Sequence, residues 1–274
     1  MSGESESTVS LSALAQSTES QNALSQSTVS GTTAIVTGAN RGFGRAISTV
    51  LVKAGAEVVG VARDRGRLAD VASELGAAFV PVTADAADPE LPRRLFAAHR
   101  PGLVVLNAGA VPEMRPLHQH SWESFSRNWT TDVRQAFAWC GEALRAPLPA
   151  GSTVVAVSSM AALRGGSPLS GGYAGAKATV RFIASYAADE SDRAGLGIRF
   201  LTLMPMLTST TQLGQVGVAG YADRQGVTAA EFVRSRGEQL QPEQVAEAVL
   251  TLRAGQEANG SAFTLLTQGL ELLG

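Results

Sequence analysis

From Thr32 onward, short apolar runs alternate with longer stretches in which apolar residues recur every three or four positions. The first run is 33–37 (Thr-Ala-Ile-Val-Thr); a helical stretch follows over about 43–54, then a second run at 57–61 (Glu-Val-Val-Gly-Val). The alternation continues with helix 65–75, strand 78–82, helix 88–98, strand 102–107, a long helix over 121–145, strand 153–157, helix 173–193 and strand 197–203. Short apolar strands bounded by helices have no polar face to turn to water, which predicts a parallel sheet covered on both sides. The expected fold class is α/β, a single-domain, doubly wound parallel sheet of Rossmann type. Its ligands are expected at the carboxyl ends of the strands.

Two regions break this rhythm. Residues 207–241 carry scattered glycine and polar residues, no clear strand and only a weak helical pattern at 228–236, the profile of an insertion that serves as a substrate lid. Beyond it, 242–253 reads as the last helix and 261–266 (Ser-Ala-Phe-Thr-Leu-Leu) as the last strand. Residues 1–30 repeat Ser, Thr, Gln and Glu with too little apolar area to offset the entropy of ordering, so a flexible tail is expected. Leu11, Leu14 and Leu24 leave open a short helix docked on a partner subunit. The domain proper is taken as 31–274.

Composition narrows the partners. The 274 residues carry 22 Lys and Arg against 24 Asp and Glu, a formal net charge of −2, which offers no basic footprint for nucleic acid or an anionic membrane. The single cysteine, Cys140, excludes an internal disulfide and a Cys-rich metal site. His99, His118 and His120 lack metal-ligand spacing, so no metal is expected and they read as surface residues. No window approaches the roughly 18 apolar residues needed to span a bilayer. No basic residue precedes Arg41, so neither a signal peptide nor an Arg-rich transit peptide is expected, and the expected location is cytoplasmic.

The chemistry begins where the first strand runs into Thr37-Gly38-Ala39-Asn40-Arg41-Gly42-Phe43-Gly44 and a helix opens. Glycines there let the backbone turn tightly and approach a pyrophosphate, whose charge meets the free N–H groups of the helix N-terminus; glycines placed for packing alone are the plainer alternative. At the end of the second strand an acidic residue would hold the ribose 2′-hydroxyl of NAD. This chain has Ala62-Arg63 instead, with Arg63 19 residues beyond Gly44. A guanidinium there pairs with a 2′-phosphate through charge-assisted bonds, and Arg41 adds a second positive charge. NADP(H) is therefore expected, with NAD(H) the alternative.

Tyr173 and Lys177 are four residues apart, on one face of a predicted helix. A nearby ammonium favours the phenolate, so Tyr173 is expected to titrate below its usual value near 10 and to act as general acid/base. Other motifs fall at the ends of predicted strands: Asp85-Ala86 after the third, Asn107-Ala108-Gly109 after the fourth, Ser158-Ser159 after the fifth, and Pro205 with Thr208 and Thr210 after the sixth.

In this order, over roughly residues 32–266, these motifs resemble the short-chain dehydrogenase/reductase family. The resemblance implies an oxidoreductase that moves hydride between a nicotinamide cofactor and a carbonyl or secondary alcohol of a small organic substrate. It implies cofactor contacts from Gly38, Asn40, Arg41, Gly42, Phe43, Gly44, Arg63, Asp85, Ala86, Asn107, Ala108, Gly109, Pro205, Thr208 and Thr210. Tyr173 would be the acid/base, Lys177 would hold the ribose, and Ser159 would share the substrate oxygen, with Ser158 in reserve. It also implies a homo-oligomer, with Trp122, Trp129 and Trp139 in the helix core or on a subunit face.

Two departures stand out. Ser159 precedes Tyr173 by 14 residues, one more than the family's usual spacing, which places an extra residue in the loop 165–168. Where the family's long helix has asparagine, this chain has Asp132 in Asp132-Val-Arg-Gln-Ala-Phe137, a catalytic candidate that accepts hydrogen bonds but, when ionised, donates none. Asp132 keeps open a second class of function, an NADP(H)-binding sensor with little turnover. Non-redox dehalogenation on the same fold is disfavoured, because that branch has arginine in place of the lysine kept here as Lys177.

Overall fold

The structure is a computed structural model that describes residues 28–163 and 167–274. Its strands are β1 (Thr33–Thr37), β2 (Glu57–Ala62), β3 (Phe79–Thr83), β4 (Leu103–Leu106), β5 (Thr153–Val157), β6 (Arg199–Pro205), β7 (Ala262–Leu266) and β8 (Gly269–Leu272). Its helices are α1 (Gly42–Lys53), α2 (Arg65–Leu75), α3 (Leu91–His99), α4 (Trp122–Asn128), α5 (Arg134–Arg145), α6 (Gly171–Arg193), α7 (Gln212–Gln225), α8 (Ala229–Ser235) and α9 (Pro242–Ala254).

The eight strands form one sheet in the order β3-β2-β1-β4-β5-β6-β7-β8. Neighbours from β3 to β7 pair in parallel, and β8 returns antiparallel to β7. Successive residues point to opposite faces, which splits the core in two. Val36, Val58 and Val105 pack under Ile47 and Leu51 of α1 and Val245 and Val249 of α9. Ile35, Val59 and Val104 pack under Leu95 and Phe96 of α3, Trp139 of α5 and Ala187 of α6. Strand order reverses between β1 and β4, whose carboxyl ends flank the crevice where such sheets bind ligands.

The sheet and its covering helices follow the hydrophobic pattern, and four details depart from it. The stretch 121–145 is interrupted: α4 and α5 are joined by a π-helical turn at Trp129–Val133. The segment 207–241, expected to be a lid, contains a helix, α7, that its sequence hides. Glycine lowers helix propensity, yet a Cβ on Gly214 would lie 1.7 Å from the Thr208 carbonyl oxygen and one on Gly220 2.8 Å from Met114, so these glycines let α7 seat closely. Strand β8 follows a turn at Thr267 and Gln268 and opens on Gly269, with φ of +132°. Val29, assigned by composition to the tail, is fully buried in the core beneath a turn in which Gly31 N–H bonds to the Gly55 carbonyl. Residues 1–27 lie outside the described residues, and so do 164–166, which include Gly165 and Gly166, half of the loop expected to carry the extra residue.

Both edges of the sheet are modest. Edge strand β3 carries Pro81, which has no N–H to offer, and β8 has four residues, including Glu271.

Candidate active site

At the carboxyl ends of the strands lies a cavity of about 910 Å³, within the usual range for small-molecule sites. Its floor is set by Thr37 at the end of β1. The Thr37 hydroxyl accepts the N–H groups of Asn107 (2.9 Å) and Ala108 (3.0 Å), and Asn107 Nδ2 donates to the Thr37 carbonyl at 3.0 Å. The ends of β1 and β4 are thereby tied together on either side of the crevice.

The glycine turn fits a phosphate group. Gly38 (φ +69°) and Gly42 (φ +51°) adopt left-handed backbone conformations that other residues rarely take. A Cβ on Gly44 would lie 2.1 Å from the Gly38 carbonyl, so this glycine serves the packing of helix against turn. Helix α1 opens without a side-chain cap and with no acidic residue in its first turn, whereas α2 is capped by Asp64 and α7 by Thr211. Its first N–H groups face the cavity with no side-chain acceptor, the arrangement that accepts an anion.

Arg63 reaches the cavity wall at the end of β2, joined by Arg41 and by Arg67, which the sequence reading did not single out. Asp64 also lines the cavity, but its carboxylate is engaged in capping α2, Oδ1 accepting from Arg67 N at 3.1 Å, and in an ion pair with the Arg67 side chain at 3.4 Å. Arg41 is hydrogen-bonded to Gln212 at the start of the lid. Asp85, Ala86, Asn107, Ala108, Gly109, Pro205, Thr208 and Thr210 all line the same cavity, as do Asn40 and Phe43. The hydroxyls of Thr208 and Thr210 both donate to the Leu240 carbonyl, at 2.8 and 3.0 Å, which anchors the lid's return.

Tyr173 and Lys177 share one face of α6, with the ammonium 5.8 Å from the centre of the phenol ring. Ser159 lines the cavity beside Tyr173, where its side chain favours the phenolate, and its hydroxyl accepts from Ala161 N at 3.2 Å, while Ser158 donates to the Lys177 backbone carbonyl at 2.8 Å and is buried. The Ser158 hydroxyl is thus engaged by the helix backbone, whereas that of Ser159 stands in the cavity wall. Lys177 Nζ donates to the Val157 carbonyl at 3.0 Å and stands 3.1 Å from Asp132 Oδ2. Burial lowers the Lys177 pKa, but Asp132 and Tyr173 more than offset it and hold it above its ordinary value.

The expected lowering of Tyr173 is corrected by the structure. Burial drives its pKa above the ordinary value, and the opposing pull of Lys177 and the Ser159 hydrogen bond does not overcome it; the charge of Asp132 adds to the rise. The physical reason is first the burial of the phenol, which disfavours its charged form, and second the carboxylate of Asp132 beside the lysine.

Asp132 reaches this site because the π-helical turn widens the helix at that point, a feature common at functional sites. Asn128, one turn earlier and buried, donates to the Ala110 carbonyl at 2.7 Å and to Asp132 Oδ1 at 3.4 Å. Its spacing of four from Asp132 was the sequence signal for it. The far wall comes from the lid and from the segment after β4: Met114, Leu207, Tyr221 and Phe232 line it, with Arg236 stacked 5.5 Å from the Phe232 ring centre. Tyr221 OH bonds Ser167 Oγ at 2.7 Å, latching α7 to the segment before α6.

His118 is exposed and His99 and His120 partly so; among the described residues no cluster of His, Cys, Asp or Glu suits a metal ion. Trp139 is core, whereas Trp122 and Trp129 are exposed on the helical face.

Comparison with known proteins agrees with this geometry. Residues 32–218 match the short chain dehydrogenase family. A probable NADP-dependent dehydrogenase of Haemophilus influenzae is 29% identical over 234 residues, which cover 82% of this chain and 89% of that protein. Carbonyl reductase [NADPH] 2 of Sus scrofa is 33% identical over 133 residues, 48% of this chain and 54% of that one. Among solved structures, 3-ketoacyl-(acyl-carrier-protein) reductase from Brucella melitensis, complexed with NADH, aligns with a TM-score of 0.71 at 25% identity, over 86% of this chain and 97% of that chain.

Proposed function

The chain belongs to the short chain dehydrogenase family of oxidoreductases, and from that premise we propose that it uses NADP(H) to interconvert a carbonyl and a secondary alcohol on a small organic substrate, with Tyr173 as general acid/base. The observation that carries this reading is the meeting of Tyr173, Ser159 and Lys177 in the cavity that also holds the uncapped start of α1.

The bound nicotinamide would supply or accept the hydride. The chain's own residues do the rest. The free N–H groups of α1 would meet the pyrophosphate, and Arg63, with Arg41 and Arg67 beside it, would meet the 2′-phosphate. Preference for NADP(H) draws support from the relative in Haemophilus influenzae, although the Brucella melitensis structure holds NADH. In the reducing direction the Tyr173 O–H bond breaks and its proton passes to the substrate oxygen, while Ser159 donates a hydrogen bond to that same oxygen. Lys177, held by Val157 and Asp132, orients the ribose side of the site.

We also infer a homo-oligomer whose second copy covers the face formed by Phe137, Phe182 and Tyr186, which are 69%, 68% and 58% exposed on the adjacent helices α5 and α6. No helix among the described residues is long and apolar enough to cross a membrane; a cytoplasmic location belongs to the proposal.

The test is NADPH oxidation against a panel of aldehydes and ketones, with wild type and Tyr173→Phe. Turnover that falls about 10²- to 10⁴-fold in the variant while NADPH affinity is kept would support the assignment. Tight NADPH binding with no turnover on any carbonyl would favour the sensor, and absence of binding would sink the whole reading.

A further inference from the structure

The site around Asp132 is built for a carboxylate. Oδ1 accepts from Ala110 N at 2.9 Å and faces Asn128 Nδ2 at 3.4 Å; Oδ2 faces the Lys177 ammonium at 3.1 Å. Every partner is a donor, so an asparagine here would turn its own NH₂ toward an N–H or an ammonium whichever way it was flipped. Gly109 lets the carboxylate lie close, since a Cβ there would stand 2.8 Å from Oδ2. Asp132 is 1% exposed, and Lys177 is 7% exposed at its side chain.

This arrangement changes the charge count. With Lys177 alone, removing the Tyr173 proton would create a phenolate facing an unpaired ammonium. With Asp132 in place the lysine already has its counter-charge, so the cluster of Tyr173, Lys177 and Asp132 is neutral while the tyrosine keeps its proton and negative once it is lost. A net charge in a buried site is unfavourable.

Resting on the reading of Tyr173 as the proton-transferring group, we propose that Asp132 is a positioning residue that, by pairing with Lys177, keeps Tyr173 in its proton-donating form and sets the site for carbonyl reduction at neutral pH, leaving alcohol oxidation to alkaline conditions. The titratable groups acting on Tyr173 are Lys177 on its own helix, Asp132 on the π-helical turn and Tyr221 on α7, of which only Lys177 pulls toward the phenolate. Ser159, Ser167 and Ser170 contribute neutral hydroxyls to the same cavity.

The experiment is an ultraviolet titration of phenolate absorbance without nucleotide, taking the difference between each protein and its Tyr173→Phe counterpart to isolate Tyr173 from Tyr186 and Tyr221. Wild-type Tyr173 is expected to titrate above an ordinary tyrosine, and Asp132→Asn to move it down by about one to two pH units. Because the amide faces donors, Asp132→Ala is run beside it with the same expectation. A wild-type midpoint at or below that of free tyrosine, or folded variants whose midpoint stays or rises, would overturn the proposal. In the holoenzyme the variants are expected to raise kcat for oxidation relative to kcat for reduction near neutral pH, the ratio of specificity constants staying fixed by the reaction equilibrium, whereas a merely structural role lowers both kcat values together. Absence of turnover in wild type would count against the proposed activity and leave the phenolate titration to judge Asp132 separately.

Discussion

Asp132 and Lys177 face one another at 3.1 Å, and neither side chain reaches more than a few per cent of its possible solvent exposure. One arrives from a π-helical turn between α4 and α5, the other from the second turn of α6. Deleting one partner of such a pair strands the other charge in a dry site.

Lys177→Met is therefore expected to cost about 3–5 kcal/mol of stability on top of any catalytic loss. Urea unfolding followed by circular dichroism would measure it. A variant as stable as wild type would show that water reaches Asp132 readily.

Arg63→Ala is expected to weaken NADPH binding by about tenfold or more while leaving NADH nearly untouched, since a charge-assisted bond to a phosphate contributes about 1.5–3 kcal/mol. Arg67→Ala should act the same way but less strongly, because Arg67 is already paired with Asp64 at 3.4 Å. Calorimetric titration with both nucleotides separates this outcome from a general loss of fold, which would weaken both.

The two adjacent serines should behave differently. Ser159→Ala is expected to lower kcat with little change in melting temperature. Ser158→Ala removes a hydroxyl that donates at 2.8 Å to the Lys177 carbonyl, which keeps its helical N–H partner, and should cost about 0.5–1.5 kcal/mol of stability. Paired melting curves and steady-state rates check the assignment, and equal kinetic losses would reverse it.

In the lid, Gly214→Ala drives a methyl group to within 1.7 Å of the Thr208 carbonyl, where backbone cannot yield. Hydrogen exchange over residues 207–225 is expected to accelerate and the substrate KM to rise. Gly217→Ala meets the end of the Leu207 side chain at 3.2 Å, a contact that a rotamer change relieves, so its exchange should stay close to wild type.

Burial pushes the Cys140 thiol up to about 12 from an ordinary 9.0. Its folded-state pKa is raised, so the stability contributed by the neutral thiol is complete below about pH 9 and disappears as pH climbs through about 12. Wild type should lose stability relative to Cys140→Ala across that window, and a thiol reagent should label the native protein at neutral pH only at the rate of global unfolding.

The parallel part of the sheet was legible because each strand from β1 to β7 is a mainly apolar run too short to be a helix, and the site because glycine, tyrosine and lysine occupy positions where few other residues serve. The π-helical turn was not, since Trp129–Val133 carries ordinary helical residues and the partner of its Asp132, Lys177, lies far along the chain. Helix α7 was hidden because glycines chosen for close approach read as breakers. The Tyr173 direction was missed because the sequence displays the lysine four residues away but neither the burial of the phenol, the larger cause, nor the carboxylate of Asp132, which reaches Lys177 from 45 residues upstream.

Pro81 in β3 and the four-residue β8 have a bearing on solubility. A parallel sheet of apolar strands is a dangerous template: an unpaired border recruits strands from other molecules and grows into insoluble aggregates. Here one border lacks a donor at Pro81, and the other ends in a brief antiparallel strand bearing Glu271, with Leu272 open to solvent. A misfolded neighbour finds little ladder to extend on either side, so the sheet can hold a wide, strongly apolar interior and still stop at its own outermost strands.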